Sequence, residues 1–347
     1  MLRDILESNG ITLVVSGYHD NVLLAISQVD IQAIPLLRPM GISVFGDSIA
    51  IGTATNVIEY RNMPGLNEFV IRPVKKEDAA AIYDSDKWYI PKMSITTGGI
   101  DIHDIAHDHQ GNILMVNTRF SCLSKLDLTY SFNPVWWPSF VSEIAPQDRC
   151  HLNGLAMRDG KPFVLSAFAE TDEPVGWRKA TRNNGILIDY ETNSIVFDGL
   201  DMPHSPRWYQ DKLYFLNSAK GELNVIEDSG PRAITHVSGF SRGLSFYKDW
   251  AFVGVSEPRH VTIKSGLDVR KLSIENNNFS SSKGIAVIDL KEERQVDFLP
   301  LDVKEIFDVE VLESKRPAFL SPSNPLINHL FILPETAKDN IAGGYNA

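Results

Sequence analysis

Six short segments spread along the chain share one pattern, and this repeat constrains the fold more than any other feature. They are Met40-Gly-Ile-Ser-Val44, His103-Asp-Ile-Ala-His107, Asn153-Gly-Leu-Ala-Met157, His204-Ser-Pro-Arg-Trp208, Arg242-Gly-Leu-Ser-Phe246 and Phe307-Asp-Val-Glu-Val311. Each opens on a bulky or polar residue, continues with Gly, Asp or Ser, and places Ile, Leu, Val or Pro third. After each of the first five come two more apolar runs. The second runs are 49–53, 113–117, 163–167, 213–217 and 251–255. The third runs are 57–60, 122–127, 185–189, 222–227 and 284–289. A fourth is visible at 194–197 and 295–298. Four short strands per unit, recurring every 40 to 65 residues or so, are the signature of a β-propeller.

The sixth unit has its first strand at 307–312, but a Pro-rich stretch follows it. Its missing partners match the runs at 11–16, 21–26 and 31–34 near the other terminus. The expectation is therefore an all-β, six-bladed β-propeller in one domain spanning 1–347. N-terminal strands within 11–36 complete the blade begun at 307–312, and the tail 334–347 lies at the periphery. Such closure leaves no open sheet edge between the first and last blades. Helical periodicity is confined to 1–8 and 74–82.

Composition fits a soluble protein with a real core, at 43% hydrophobic and 22% charged residues. A net charge of −11 argues against nucleic acid as partner, because phosphate contacts call for a basic face. No apolar run approaches the roughly 20 residues of a membrane span. The first residues, MLRDILESNG, lack a signal-peptide core. Cys122 and Cys150 make no disulfide framework and read as buried thiols, so a reducing cytoplasm is the expected home. Cys-x-x-Cys, Walker, His-Glu-x-x-His, Gly-x-Ser-x-Gly and Rossmann patterns are missing from the sequence.

In a propeller the first strand of each blade lines the central channel, so the first positions of the six segments become neighbours at one mouth. The candidate catalytic groups are His103, His204, Asp104 and Arg242. Imidazole titrates near neutrality, carboxylate accepts protons, and arginine clamps anions. Asn153, Arg119, His151, Arg207, Asn117 and Trp177 are candidate substrate contacts. His103, His204, Asn153 and Asp308 are candidate ligands for one divalent metal ion. Each has a structural alternative. The histidines can hold the neighbouring blade, Asn153 can form a turn before Gly154, and Asp104 and Asp308 can cap backbone amides. Arg242 can sit in an ion pair, Trp136 and Trp137 can pack between blades, and Arg149 is a weaker anion contact. The loops 168–184 and 256–283 are long enough to act as lids.

Several of these segments resemble a family of bacterial conserved hypothetical proteins that carries a domain of unknown function. The shared motifs are Ile102-His-Asp-Ile-Ala106, Asn117-Thr-Arg-Phe-Ser-Cys122, Asp148-Arg-Cys-His-Leu-Asn-Gly-Leu-Ala156, Met202-Pro-His-Ser-Pro-Arg-Trp208, Gly239-Phe-Ser-Arg-Gly-Leu244 and Glu305-Ile-Phe-Asp-Val309. That resemblance implies no reaction. Asn153-Gly-Leu155 also resembles the gluconolactonase and regucalcin-like propellers, which are six-bladed and hold a divalent metal in the channel. His204 and Arg242 stand where that resemblance expects oxygen ligands.

Two functions stay open at this point. One is an enzyme, a hydrolase, lyase or isomerase with or without a metal, acting on a small polar or anionic molecule. The other is a propeller platform for a protein, peptide or glycan.

Overall fold

The repeated segments become the innermost strands of six antiparallel sheets arranged in a ring. The computed structural model describes residues 1–63, 85–179, 182–257 and 283–329. A short helix, α1 (Leu2–Asn9), is followed by β1 (Thr12–Gly17), β2 (Val22–Ile26) and β3 (Ile31–Pro35). Blade 1 comprises β4 (Ile42–Phe45), β5 (Ser48–Gly52), β6 (Asn56–Asn62) and β7 (Lys87–Thr96). Blade 2 holds β8 (Ile102–His107), β9 (Ile113–Asn117), β10 (Cys122–Lys125) and β11 (Asn133–Trp136). Blade 3 holds β12 (Leu152–Arg158), β13 (Lys161–Ala167), β14 (Gly185–Asp189) and β15 (Ile195–Leu200). Blade 4 holds β16 (Pro203–Tyr209), β17 (Lys212–Asn217), β18 (Glu222–Glu227) and β19 (Gly230–His236). Blade 5 holds β20 (Phe240–Tyr247), β21 (Trp250–Ser256), β22 (Gly284–Asp289) and β23 (Arg294–Pro300).

The ring closes as the repeat predicts. β24 (Ile306–Leu312) pairs antiparallel with β1, setting Leu13 opposite Val311 and Val14 opposite Glu310, and the sixth sheet runs β24-β1-β2-β3. The inner strands touch in the cyclic order β24, β4, β8, β12, β16, β20 and back to β24.

Alternation explains the packing. Successive side chains of a strand point to opposite faces, and in a propeller both faces meet a neighbouring blade. Thus Leu13 and Val15 of β1 pack with Phe252, Ile285 and Val287 of blade 5. Val14, between them, packs with Ile42, Ile49 and Ile51 of blade 1. Each such side chain contributes about 1.5–3 kcal/mol on burial.

The sequence pattern missed the outermost strands β7, β11 and β19. They are half solvent-facing, so polar residues interrupt their apolar runs; β19 and β11 alternate intermediate and exposed positions. It also missed β25 (Pro317–Phe319), which adds to β7 as a parallel fifth strand of blade 1. The helix expected at 1–8 is α1, which ends at Gly10 in the left-handed conformation, φ 63°. The helix expected at 74–82, most of the loop 256–283 and the tail 334–347 lie outside the described residues. Among the described residues no helix is long and apolar enough to cross a membrane.

Candidate functional site

At the start of the inner strands the ladder slips its register. The slips fall between Ile102 and Asp104, Leu152 and Gly154, His204 and Arg207, Ser241 and Leu244, and beside Phe307. A β-bulge bends its strand and re-aims a side chain. His103, Asn153 and Phe307 are the extra residues of three of these bulges.

In blades 2, 3 and 4 a second device precedes the bulge. Asp101, His151 and Met202 all adopt left-handed backbone, with φ of 54°, 54° and 55°. Each offers its carbonyl to the side chain two residues on. His103 Nδ1 lies 3.1 Å from the Asp101 carbonyl, and Asn153 Nδ2 donates to the His151 carbonyl at 3.2 Å. His204 Nδ1 lies 3.1 Å from the Met202 carbonyl and 2.9 Å from Ser218 Oγ. A carbonyl only accepts, so Nδ1 carries the proton in His103 and His204, and in the neutral ring the lone pair sits on Nε2. Burial pushes the His103 imidazole well below its ordinary pKa, and the charges of Arg242 and His151 push the same way. His103 is therefore a neutral base at pH 7.

Aromatic rings join these imidazoles into one lining. His103 meets Phe307 at 5.3 Å and His151 at 4.7 Å between ring centroids. His151 lies 4.2 Å from Trp177 and 4.5 Å from Phe168. Phe168 reaches His204 at 5.0 Å, and His204 reaches Phe240 at 5.5 Å. His103 and His204 are thus linked through His151 and Phe168. His151 Nδ1 is 3.1 Å from both oxygens of Asp148, and Trp177 Nε1 donates to Asp148 Oδ2 at 2.8 Å.

Arg242 closes the ring on the far side. Its guanidinium lies over the Phe307 face, 3.4 Å from the centroid, and Nη1 donates to Glu305 Oε1 at 3.3 Å. Glu305 also faces His19 Nε2 at 3.0 Å. The Arg242 charge is thus balanced by a carboxylate and a π face, which leaves it poorly placed to act as a bare anion clamp.

Below the mouth the inner strands converge on one ion cluster. Arg207 Nη1 donates to Asp104 Oδ2 at 2.7 Å and to the Leu155 carbonyl at 3.2 Å, and Nη2 lies 3.6 Å from Asp308 Oδ1 and 4.0 Å from Glu310 Oε1. These partners come from blades 2, 3 and 6, so the guanidinium sits on the channel axis. At Arg207, an expected substrate contact, both Nη atoms face partners inside the ring. The same holds for Asp104. Its Oδ2 also accepts the Leu155 amide at 3.0 Å, just as Asp308 Oδ2 accepts the Ile42 amide at 2.9 Å and Ser205 Oγ accepts the Gly243 amide at 3.1 Å. Each capped amide belongs to the next blade, so these side chains tie neighbours together. Bonds to a charged acceptor are worth about 1.5–3 kcal/mol apiece.

The other expected residues divide by position. Asn117 is buried and serves its own turn, accepting the Phe120 amide at 3.1 Å. Arg119 pairs with Asp101 at 3.4 Å on the open rim. Arg149 pairs with Asp172 and Glu143 and so holds the Trp177 loop down. Trp136 packs within the interface of blades 2 and 3, away from the mouth. Cys122 and Cys150 are buried, and burial pushes their thiols up to about 11 and about 12. Asp148, Phe168, Phe240 and Glu305 were missed as site residues. Three of them stand inside quoted motifs, Asp148 three residues before His151, Phe240 two before Arg242 and Glu305 two before Phe307.

The set expected to bind a divalent metal does not fit one. Asn153 accepts Ser166 Oγ at 2.6 Å and donates through its amide, and Asp308 already faces a fixed guanidinium. Among the described residues no group of three or more His, Cys, Asp or Glu is arranged to hold a metal ion.

A family model described as a domain of unknown function, DUF4915, matches residues 1–320. The chain belongs to this family. No curated protein matches it. Among solved structures, a chain from a nidogen/laminin complex covers 88% of the DUF4915 protein and is covered over 100% of its own length, at 8% identity and TM-score 0.54. A protein of unknown function from Bacteroides caccae covers the same shares at 10% identity and TM-score 0.51. A gluconolactonase from Xanthomonas campestris covers 77% of each chain at 14% identity and TM-score 0.45. At such identities the likeness concerns the propeller fold alone.

Proposed function

We propose that the protein binds a small, polar, ring-bearing molecule at the mouth lined by His103, His151, His204, Phe168, Trp177 and Phe307. One observation carries this reading: imidazoles from blades 2, 3 and 4 have Nδ1 held by protein acceptors and stand in one aromatic lining, with His103 neutral and its lone pair on Nε2. Hydroxyl or N–H donors of a ligand complement that lone pair, and the aromatic faces complement its ring. Balanced charge at Arg242 and Glu305 favours a neutral ligand over an anion.

The test is a panel of monosaccharides, sugar alcohols and nitrogen heterocycles, followed by ligand-observed NMR, with hits re-measured on His103→Gln and His204→Asn. Loss of one acceptor weakens binding about tenfold, equivalent to about 1.4 kcal/mol. Hits that bind both variants as tightly as the parent contradict the reading.

A further inference from the structure

At the mouth the Nδ1 of His151 faces a carboxylate, where that of His103 faces a backbone carbonyl. We propose that His151, positioned by Asp148, is a general base that takes a proton from a water or hydroxyl bound at the mouth, making the site hydrolytic. This rests on the binding site proposed above and assigns it a reaction.

The geometry is built from the chain outward. Asp101, His151 and Met202 are equivalent residues of three blades, each holding the same left-handed backbone before a bulge. Only blade 3 places an imidazole there. Immediately before it, Cys150 is fully buried in the apolar interface of blades 2 and 3, which fixes the segment. Asp148, itself left-handed with φ 44°, turns its carboxylate onto His151 Nδ1. Non-glycine residues in this region cost on the order of 1 kcal/mol each, and such strain concentrates where a side chain must be aimed.

A second layer fixes the carboxylate. Trp177 donates to Asp148 while its ring lies against His151. The loop carrying Trp177 is clamped by the Arg149 ion pairs and by two backbone bonds, Val175 N to Gln147 O at 2.8 Å and Trp177 N to Arg149 O at 3.3 Å. The His151 side chain keeps 14% of its surface open. A carboxylate on Nδ1 selects the tautomer with its lone pair on Nε2 and steadies the imidazolium formed when a proton arrives. In the step proposed, a water oxygen bonds to an acyl carbon as its proton passes to His151 Nε2. The acyl C–O bond then breaks, and that proton goes to the departing oxygen.

The test uses the full-length protein and p-nitrophenyl acetate, an activated ester that reports general-base hydrolysis. The parent should hydrolyse it about tenfold or more faster than free imidazole at the concentration of its nine histidines. His151→Gln should remove that excess. Asp148→Asn, which keeps an acceptor for Trp177, should lower kcat with KM and Tm unchanged; a purely structural role for Asp148 would move Tm instead. Exposed His109→Gln serves as the control and should hydrolyse at the parental rate. A parental rate equal to free imidazole, or an undiminished rate in both dyad variants, overturns the proposal. If the dyad variants keep both ligand binding and esterolysis, the base assignment alone fails. If His103→Gln and His204→Asn leave panel binding unchanged, the binding site itself fails.

Discussion

Arg207 Nη1 meets Asp104 Oδ2 at 2.7 Å across the channel axis, although the residues stand 103 positions apart in the chain. With Asp308 and Glu310 nearby, one guanidinium serves two buried carboxyl groups and one that is partly exposed. Arg207→Met removes the only cation of this cluster among the described residues. Breaking a buried pair from one side costs about 3–5 kcal/mol. Urea denaturation at pH 7 should show a loss of that size, and a variant as stable as the parent would contradict the axial role.

The same cluster sets a pH dependence. Burial raises both Asp308 and Glu310, and each is further raised by the neighbouring carboxylates while Arg207 opposes the shift. In the unfolded chain such carboxyls lose their protons near pH 4. In the fold they keep them to higher pH, so across this window the native state binds more protons. Stability is therefore fullest below about pH 4 for these groups and falls as pH rises through their folded values. Asp104, Arg207 and Ser245, which faces Glu310 at 3.1 Å, are the other groups around them. Denaturation at pH 6 and pH 9 should show the parent weaker at pH 9, with Glu310→Gln flattening the difference. Stability that rises between those values would sink this explanation.

The blade junction at Gly243 makes a sharper prediction. Gly243 has φ 79°, and a Cβ there would stand 2.7 Å from the Val309 amide nitrogen of the next blade. Gly243→Ala combines left-handed strain with a backbone clash that no side-chain rotation relieves. Tm should drop by several degrees, reflecting a loss of about 2 kcal/mol or more. An unshifted Tm would mean that blades 5 and 6 approach less closely.

Neither thiol should react in the native state. Cys122 and Cys150 have no exposed surface and raised pKa values, so little thiolate is present and no reagent reaches it. Ellman's reagent at pH 8 should label neither until denaturant is added. Prompt labelling of one thiol in native protein would place it at the surface.

Much of this architecture was legible because propeller strands are short, apolar and repeated. Inner and middle strands bury both faces, so 113–117 and 284–289 stood out as runs, and the ring closure followed from matching 307–312 to the N-terminal strands. The outer strands β11 and β19 carried no such signal. At the site, the repeat located the mouth through His103, His204 and Arg242, but it ranked residues by chemical type alone. Asp104 and Arg207 looked reactive because the sequence does not reveal that they neutralise each other on the axis. Asp148 was passed over because its partnership with His151 depends on two left-handed residues, which no composition pattern encodes.

The central claim is that His103 stands at the ligand site as a neutral imidazole with its lone pair on Nε2. Long-range ¹H–¹⁵N NMR of the histidine rings at pH 7, repeated as a panel hit is added, tests it most directly. The expected spectrum has His103 protonated at Nδ1 only, with its Nε2 resonance moving as ligand binds. A doubly protonated His103 at pH 7, or ligand shifts that leave His103, His151 and His204 unmoved, would contradict it.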